Sequence, residues 1–176
     1  MENKNKIEFL KYYEPVHNQF YKYCRAISGN TEDAEDLIQD TILNVLERLD
    51  KIKDLSVFKS YVFSVASNLH KMKQRRNKFK ANFNEEEINQ IVAFGQNQEH
   101  YTEFKIVYEK ILSLPSKTSE TLILYHISDL SIEEIQKIQG GSLSAVRSRL
   151  QRGREKVISL LKTKEQLKIV IMLLTF

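Results

Sequence analysis

Along most of this chain apolar residues return at steps of three and four, the spacing of one face of a helix. Phe9, Tyr12, Tyr13, Val16, Phe20, Tyr23 and Ile27 set the first such stripe. Pro15 falls inside it and suits the first turn of a fresh helix, while Gly29 stands where a helix would end on a left-handed residue. The stretch "NTEDAEDLIQDTILNVLERLD" then predicts a second helix. Thr31 is its expected cap, acids crowd its positive end, and Leu37, Ile38, Thr41, Ile42, Val45, Leu46 and Leu49 form its buried stripe. The pattern breaks over 50–57 and resumes over 58–80, with Phe58, Tyr61, Val62, Val65, Leu69 and Met72 in register.

From about 77 to 103 the chain is rich in Asn, Gln and Glu and its periodicity is weak, which reads as a linker with a short helix around 85–94. Order returns with an amphipathic helix over 101–114, stopped by Pro115. A helix over 116–130 follows, started by a Ser/Thr cap. In "SIEEIQKIQ", Ser131 and Glu134 have the spacing of a capping box. Gly140 and Gly141 turn the chain, and Ser142 is placed to cap what comes next. The expectation is an all-α protein. Two small helical domains, 1–80 and 104–162, are joined by a polar linker, 81–103, and an apolar tail, 163–176, closes the chain.

Composition supports a globular helical protein. Of 176 residues, 41 % are hydrophobic and 28 % charged, with only five glycines and two prolines. The net charge of +4 matters less than its layout. Residues 30–40 carry acids and no base; residues 71–80 carry bases and no acid. Such segregation points to separate partners, one basic and one polyanionic. A lone cysteine, Cys24, permits no internal disulfide and favours a reducing cytoplasm. No signal peptide is expected, and the apolar run 167–176 is too short to span a bilayer. Left uncovered, that run would be prone to aggregate, so it is expected to be buried.

The densest chemistry lies in "GGSLSAVRSRLQRGREK", 140–156. On a helix beginning at Ser142, the residues Leu143, Val146, Leu150, Gly153 and Val157 share one face. Ser144, Arg147, Ser148, Gln151 and Arg152 share another, with Arg149 and Arg154 on the flank. A short helix, a glycine turn and an Arg-rich second helix make a helix-turn-helix, whose second helix enters the DNA major groove. Arginine suits guanine edges and phosphates. The plainer reading is a basic solvated face of an ordinary bundle.

Nearly the whole chain resembles the extracytoplasmic-function group of bacterial RNA polymerase sigma factors. The resemblance rests on "YYEPVHNQFYKYCRAISGNTEDAEDLIQDTILNVLERL", on "FKSYVFSVASNLHKMKQRR" and on "LPSKTSETLILYHISDLSIEEIQKIQGGSLSAVRSRLQRGREKVISLL", in that order. It implies a sigma factor that binds core polymerase, through the β′ clamp helices and the β subunit, and melts promoter DNA. Asp36, Gln39, Asp40 and Asn44 match the clamp-docking block, although Asp33 and Glu35 also suit capping. Asp50, Ile52 and Lys53 fall in the loop that captures a flipped −10 base. Asn68 matches a further −10 contact, and Lys73, Arg75 and Arg76 would follow the phosphates. Ser144, Arg147, Ser148, Arg149, Gln151, Arg152 and Arg154 would serve the −35 element. Two departures bear on the −10 details: Met72 stands where the family commonly has Asp, and Tyr61 where Trp is common. Phe58 and Tyr61 fit the core better than a DNA role. The resemblance leaves open an anti-sigma factor as a further partner.

A conventional helix-turn-helix regulator, with 1–80 as sensor or dimerisation domain, is the alternative. No catalytic residue, cofactor or metal is expected: His17, His70, His100 and His126 lack ligand spacing, and no nucleotide loop or nucleophile motif occurs. Only a convergence of the acids in 32–40 would reopen a metal site.

Overall fold

The computed structural model describes residues 2–52, 57–77, 101–161 and 163–164. The chain divides into two compact units, 1–83 and 84–176. Among the described residues there are α-helices and short 3-10 turns and no strand. The linker helix expected at 85–94, Lys53 and the tail 167–176 lie outside the described residues.

The first unit begins with α1, Glu2–Tyr13, and α2, His17–Ser28, joined by a 3-10 turn at Glu14–Val16 that holds Pro15. Gly29 ends α2 in the left-handed region at φ 81°, as its position predicts. The cap of α3, Thr31–Leu46, is Asn30 and not Thr31. Asn30 has the extended backbone of a capping residue, and its Oδ1 accepts the Asp33 amide at 2.7 Å. Helix α4 runs Phe58–Asn77.

The core of this unit is aromatic. Phe9 stacks on Tyr13 at 5.1 Å, Phe58 meets Phe9 edge-on, and Phe63 meets Phe20 edge-on at 5.4 Å. Such offset and edge-to-face pairs let the ring quadrupoles attract. Phe63 is fully buried although the three-and-four register of α4 passes it by. Its neighbours Ala66 and Ser67 are buried too, so the inward face of α4 is wider than its apolar stripe. Thr41, also fully buried, returns its hydroxyl to the Leu37 carbonyl at 2.6 Å and leaves no polar atom stranded. Cys24 is buried, which pushes its thiol well above the ordinary value and keeps it unreactive.

The second unit holds α5, Tyr101–Leu112, α6, Ser116–His126, α7, Ile132–Gln139, and α8, Leu143–Leu160. The side-chain cap expected at the start of α6 does not form. Pro115 occupies the capping position, and its carbonyl takes the amides of Thr118 and Ser119 at 2.8 and 3.0 Å. Helix α6 is the centre of the unit. Six consecutive residues from Ser119 to Leu124 are buried, because α5, α7 and α8 all pack on it.

The Ser131–Glu134 capping box is formed in both directions, at 3.1 and 2.8 Å. Gly140 and Gly141 have φ of 68° and 90°, values that side chains with a Cβ rarely adopt. Ser142 then caps α8 by accepting the Ala145 amide at 3.2 Å. Val146, Leu150, Gly153 and Val157 are buried as one face, whereas Leu143, at the exposed first turn, is not. A Cβ on Gly153 would lie 3.0 Å from Thr118 Cγ2 and 3.1 Å from Leu122 Cδ1. The absence of a side chain there lets α8 press close on α6, and a large replacement would overpack the contact.

Candidate nucleic-acid interface

The turn through Gly140 and Gly141 carries α8 away from α7 with its outer face open. Ser144, Arg147, Ser148, Gln151 and Arg152 are all exposed on that face. Arg147 and Arg152 make no hydrogen bond or ion pair with another described residue. Their guanidinium groups are therefore available for an anion or a base edge. Gln151 Nε2 donates to Glu155 at 3.0 Å, one turn along the same helix, and Ser144 lies 2.9 Å from the capping hydroxyl of Ser142.

The two flank arginines differ. Arg149 is half-buried, and its Nη1 donates to Gln139 Oε1 and to Thr121 Oγ1. Arg154 lies 5.3 Å above the Tyr125 ring and donates from Nε to His126 Nε2 at 3.2 Å. That cation–π contact and that bond hold its head on α6. The structure thus divides four arginines that the sequence groups together into two that face water and two that face the protein.

In the first unit, Asp36, Gln39 and Asp40 are exposed along one side of α3. Asn44 is half-buried and donates to the Asp40 carbonyl at 2.8 Å, within its own helix. Leu43 shares this side at 58 % exposure, a large apolar group standing in water amid polar ones. The sequence carried a signal for it: Leu43 is out of register with the stripe of Leu37, Thr41 and Val45.

Asp50 is exposed in a 3-10 turn at Leu49–Lys51, and Ile52 beyond it is half-buried in extended backbone. On α4, Asn68, Met72, Arg75 and Arg76 are exposed, while Phe58 is buried and Tyr61 half-buried. Lys73 joins the two helices: its Nζ lies 2.5 Å from Asp33 and 3.6 Å from Asp36. One cation of the basic run is thus shared with the acidic block of α3.

This pair sets two titrations. Burial would raise the Asp33 carboxyl, but hydrogen bonds from Lys73 and Asn30 and the charges of Lys73 and His70 outweigh it and hold the group below its ordinary value. Burial would lower Lys73, but the bonds and charges of Asp33 and Asp36 raise it. A depressed carboxyl contributes stability that is present above its unfolded value, near 3.9, and is lost as pH falls through the folded one. A raised ammonium contributes below its unfolded value, near 10.4, and that contribution is lost as pH rises through the folded one. The pair is 40 % exposed on both sides, so solvent screens it and the effect is small. Lys73→Met is expected to move the Asp33 carboxyl titration, followed by NMR, back up toward the ordinary range. An unmoved titration would show that Asn30 and His70 set it without Lys73.

Comparison with known proteins decides what these two units are. The family described as Sigma-70 region 2 matches residues 12–80, and Sigma-70, region 4 matches residues 104–157. The ECF RNA polymerase sigma factor EcfG of Rhodopseudomonas palustris is 27 % identical over 139 residues, covering 79 % of this chain and 77 % of its own. SigW of Bacillus subtilis, also an ECF RNA polymerase sigma factor, is 27 % identical over 150 residues, covering 78 % and 80 %. The chain belongs to the ECF sigma factors. Its fold is similar to that of the sigma factor RpoE of Bartonella quintana, solved in complex with the anti-sigma factor NepR. The TM-score is 0.69 at 21 % identity, over 89 % of this chain and 98 % of that one.

In this sigma factor the acidic side of α3, the loop after it and the basic end of α4 all belong to region 2. The glycine turn and α8 belong to region 4. Among its described residues no three His, Cys, Asp or Glu side chains come together to hold a metal ion, so the acids of 32–40 do not converge. None of its described helices is long and apolar enough to cross a membrane.

Proposed function

We propose that this chain is a non-catalytic, dissociable subunit that brings core RNA polymerase to promoters and helps to open them, acting in the cytoplasm where the polymerase works. The observation that carries the proposal is the order of the two sigma regions, each with its charged face open to solvent. Asp36, Gln39, Asp40 and Asn44, with Leu43 as apolar anchor, form the docking patch for the polymerase clamp. Asp50, Ile52, Lys53 and Asn68 serve the −10 element. Arg75 and Arg76 supply the salt-sensitive attraction to phosphates that such a run provides, whereas Lys73 is engaged by Asp33 and Asp36. Arg147 and Arg152, with Ser144, Ser148 and Gln151 beside them, read the −35 element from the major groove, where arginine pairs with guanine in a bidentate manner. Arg154 steadies α8 through Tyr125 and His126. An anti-sigma factor is a further partner of the proposed kind, since the related RpoE is solved bound to one.

The test is run-off transcription with purified core polymerase and a library of genomic promoter fragments. Transcripts that start at shared −35 and −10 elements and need both the chain and the core are expected. A chain that binds DNA as a dimer and leaves core polymerase unbound would instead be a conventional helix-turn-helix regulator.

A further inference from the structure

Beneath the open face of α8 lies a polar network that joins three helices. Arg149 Nη1, from α8, donates to Gln139 Oε1 at the end of α7 and to Thr121 Oγ1 in α6, the latter at 3.3 Å. Gln139 passes the connection on: its Nε2 donates to Glu120 Oε2 at 2.9 Å and reaches the Lys117 carbonyl at 3.4 Å. Thr121 has one hydroxyl proton for two acceptors, the Lys117 carbonyl at 2.6 Å and Gln139 Oε1 at 2.8 Å. Glu120 is 6 % exposed and Thr121 is fully buried.

The Gln139 amide has a guanidinium at its oxygen and a carboxylate at its nitrogen. Reversing it would set like against like at both ends, so its orientation is determined. The result is a cation and an anion bridged by one amide at the crossing of α6, α7 and α8. The apolar face of α8, Val146, Leu150 and Val157, is attracted to the core without regard to direction. It tolerates small rotations of the helix. Charge-assisted hydrogen bonds do not, because they weaken steeply when misaligned.

We infer that Arg149 is a positioning residue: through Gln139 and Glu120 it fixes the rotation of α8 and so aims Arg147, Ser148 and Arg152 at DNA, without itself binding DNA. The inference rests on the reading of α8 as the −35 reader. A flank arginine on a DNA-binding helix would otherwise be counted among the phosphate contacts, and the two roles leave different marks.

The experiment uses holoenzyme assembled from the full chain and core polymerase. Its binding is measured by fluorescence anisotropy to a labelled promoter duplex recovered from run-off selection, and to the same duplex with the −35 element replaced. Arg149→Met keeps the aliphatic stem packed and removes the fork. Gln139→Ala and Glu120→Gln alter residues placed away from the open face. Each is expected to reduce the preference for the intact −35 element by about tenfold, the scale of one lost base contact. The double variant Arg149→Met, Gln139→Ala should lose no more than either single one, because both break the same link. The dependence of affinity on salt should match that of the wild type. The inference is overturned if Arg149→Met lowers the salt slope by about 0.9, weakens both duplexes alike, and Gln139→Ala does nothing, for that is the mark of a phosphate contact. Should Arg149→Met unfold the second unit, Gln139→Ala decides alone, and full −35 preference in that folded variant overturns the inference. A wild type with no −35 preference would sink the reading of α8 itself, a separate and recognisable outcome.

Discussion

Arg147→Ala and Arg152→Ala are each expected to cut use of promoters with an intact −35 element by roughly 5- to 150-fold, the equivalent of about 1–3 kcal/mol for a bidentate base contact. Both guanidinium groups stand in water on the open face of α8 and make no bond within the described protein. Their removal should therefore leave the melting of the second unit unchanged. The loss should fall on one base pair for each arginine when the −35 element is scanned position by position. A loss spread evenly over all sequences, with a shallower salt dependence, would make the residue a phosphate contact instead. The comparison with Arg154→Ala is informative. Arg154 is held on α6 by Tyr125 and His126, so its loss should lower the melting temperature and leave the pattern of base preference in place.

The second large effect belongs to region 2. Replacing Gln39, Asp40 and Leu43 together by Ala is expected to weaken binding to core polymerase by about 30-fold or more, the scale of truncating one interface hot spot. The three side chains are exposed on one side of α3, so circular dichroism and the melting of the unit should stay native. Leu43→Ala alone should account for much of the loss if an apolar anchor holds the patch together. Asp33→Asn, by contrast, removes a partner of Asn30 and Lys73 and should act on the stability of α3 more than on docking. Native core affinity in the triple variant would move the docking surface elsewhere on the chain.

Several features were legible because their causes are local. The capping box at Ser131 and Glu134, the cap at Ser142 and the left-handed Gly29 each depend on residues within about a turn of one another. The apolar stripes were legible because a helix repeats every 3.6 residues whatever it packs against. Where two local solutions compete, the sequence is less decisive. Asn30 and Thr31 can both cap α3, and only the path of the chain after Gly29 selects Asn30. Phe63 escaped the stripe for a related reason. Phe63 is covered by Phe20 and Tyr23, rings that come from another helix and that the repeat of α4 cannot announce.

From sequence alone came an all-α protein of two units, the glycine turn before an arginine-rich helix, and the separation of an acidic from a basic segment. These follow from periodicity, backbone freedom and the charges on the residues themselves. Which charges remain available was decided by the tertiary structure. Arg147, Arg149, Arg152 and Arg154 are alike in sequence, yet Gln139, Thr121, Tyr125 and His126 claim the second and the fourth. Lys73 reads as part of a free cationic run, yet Asp33 and Asp36 on another helix hold it. A hydrogen bond or ion pair acts over a few ångströms, and residues far apart in the chain come within that range only when helices cross.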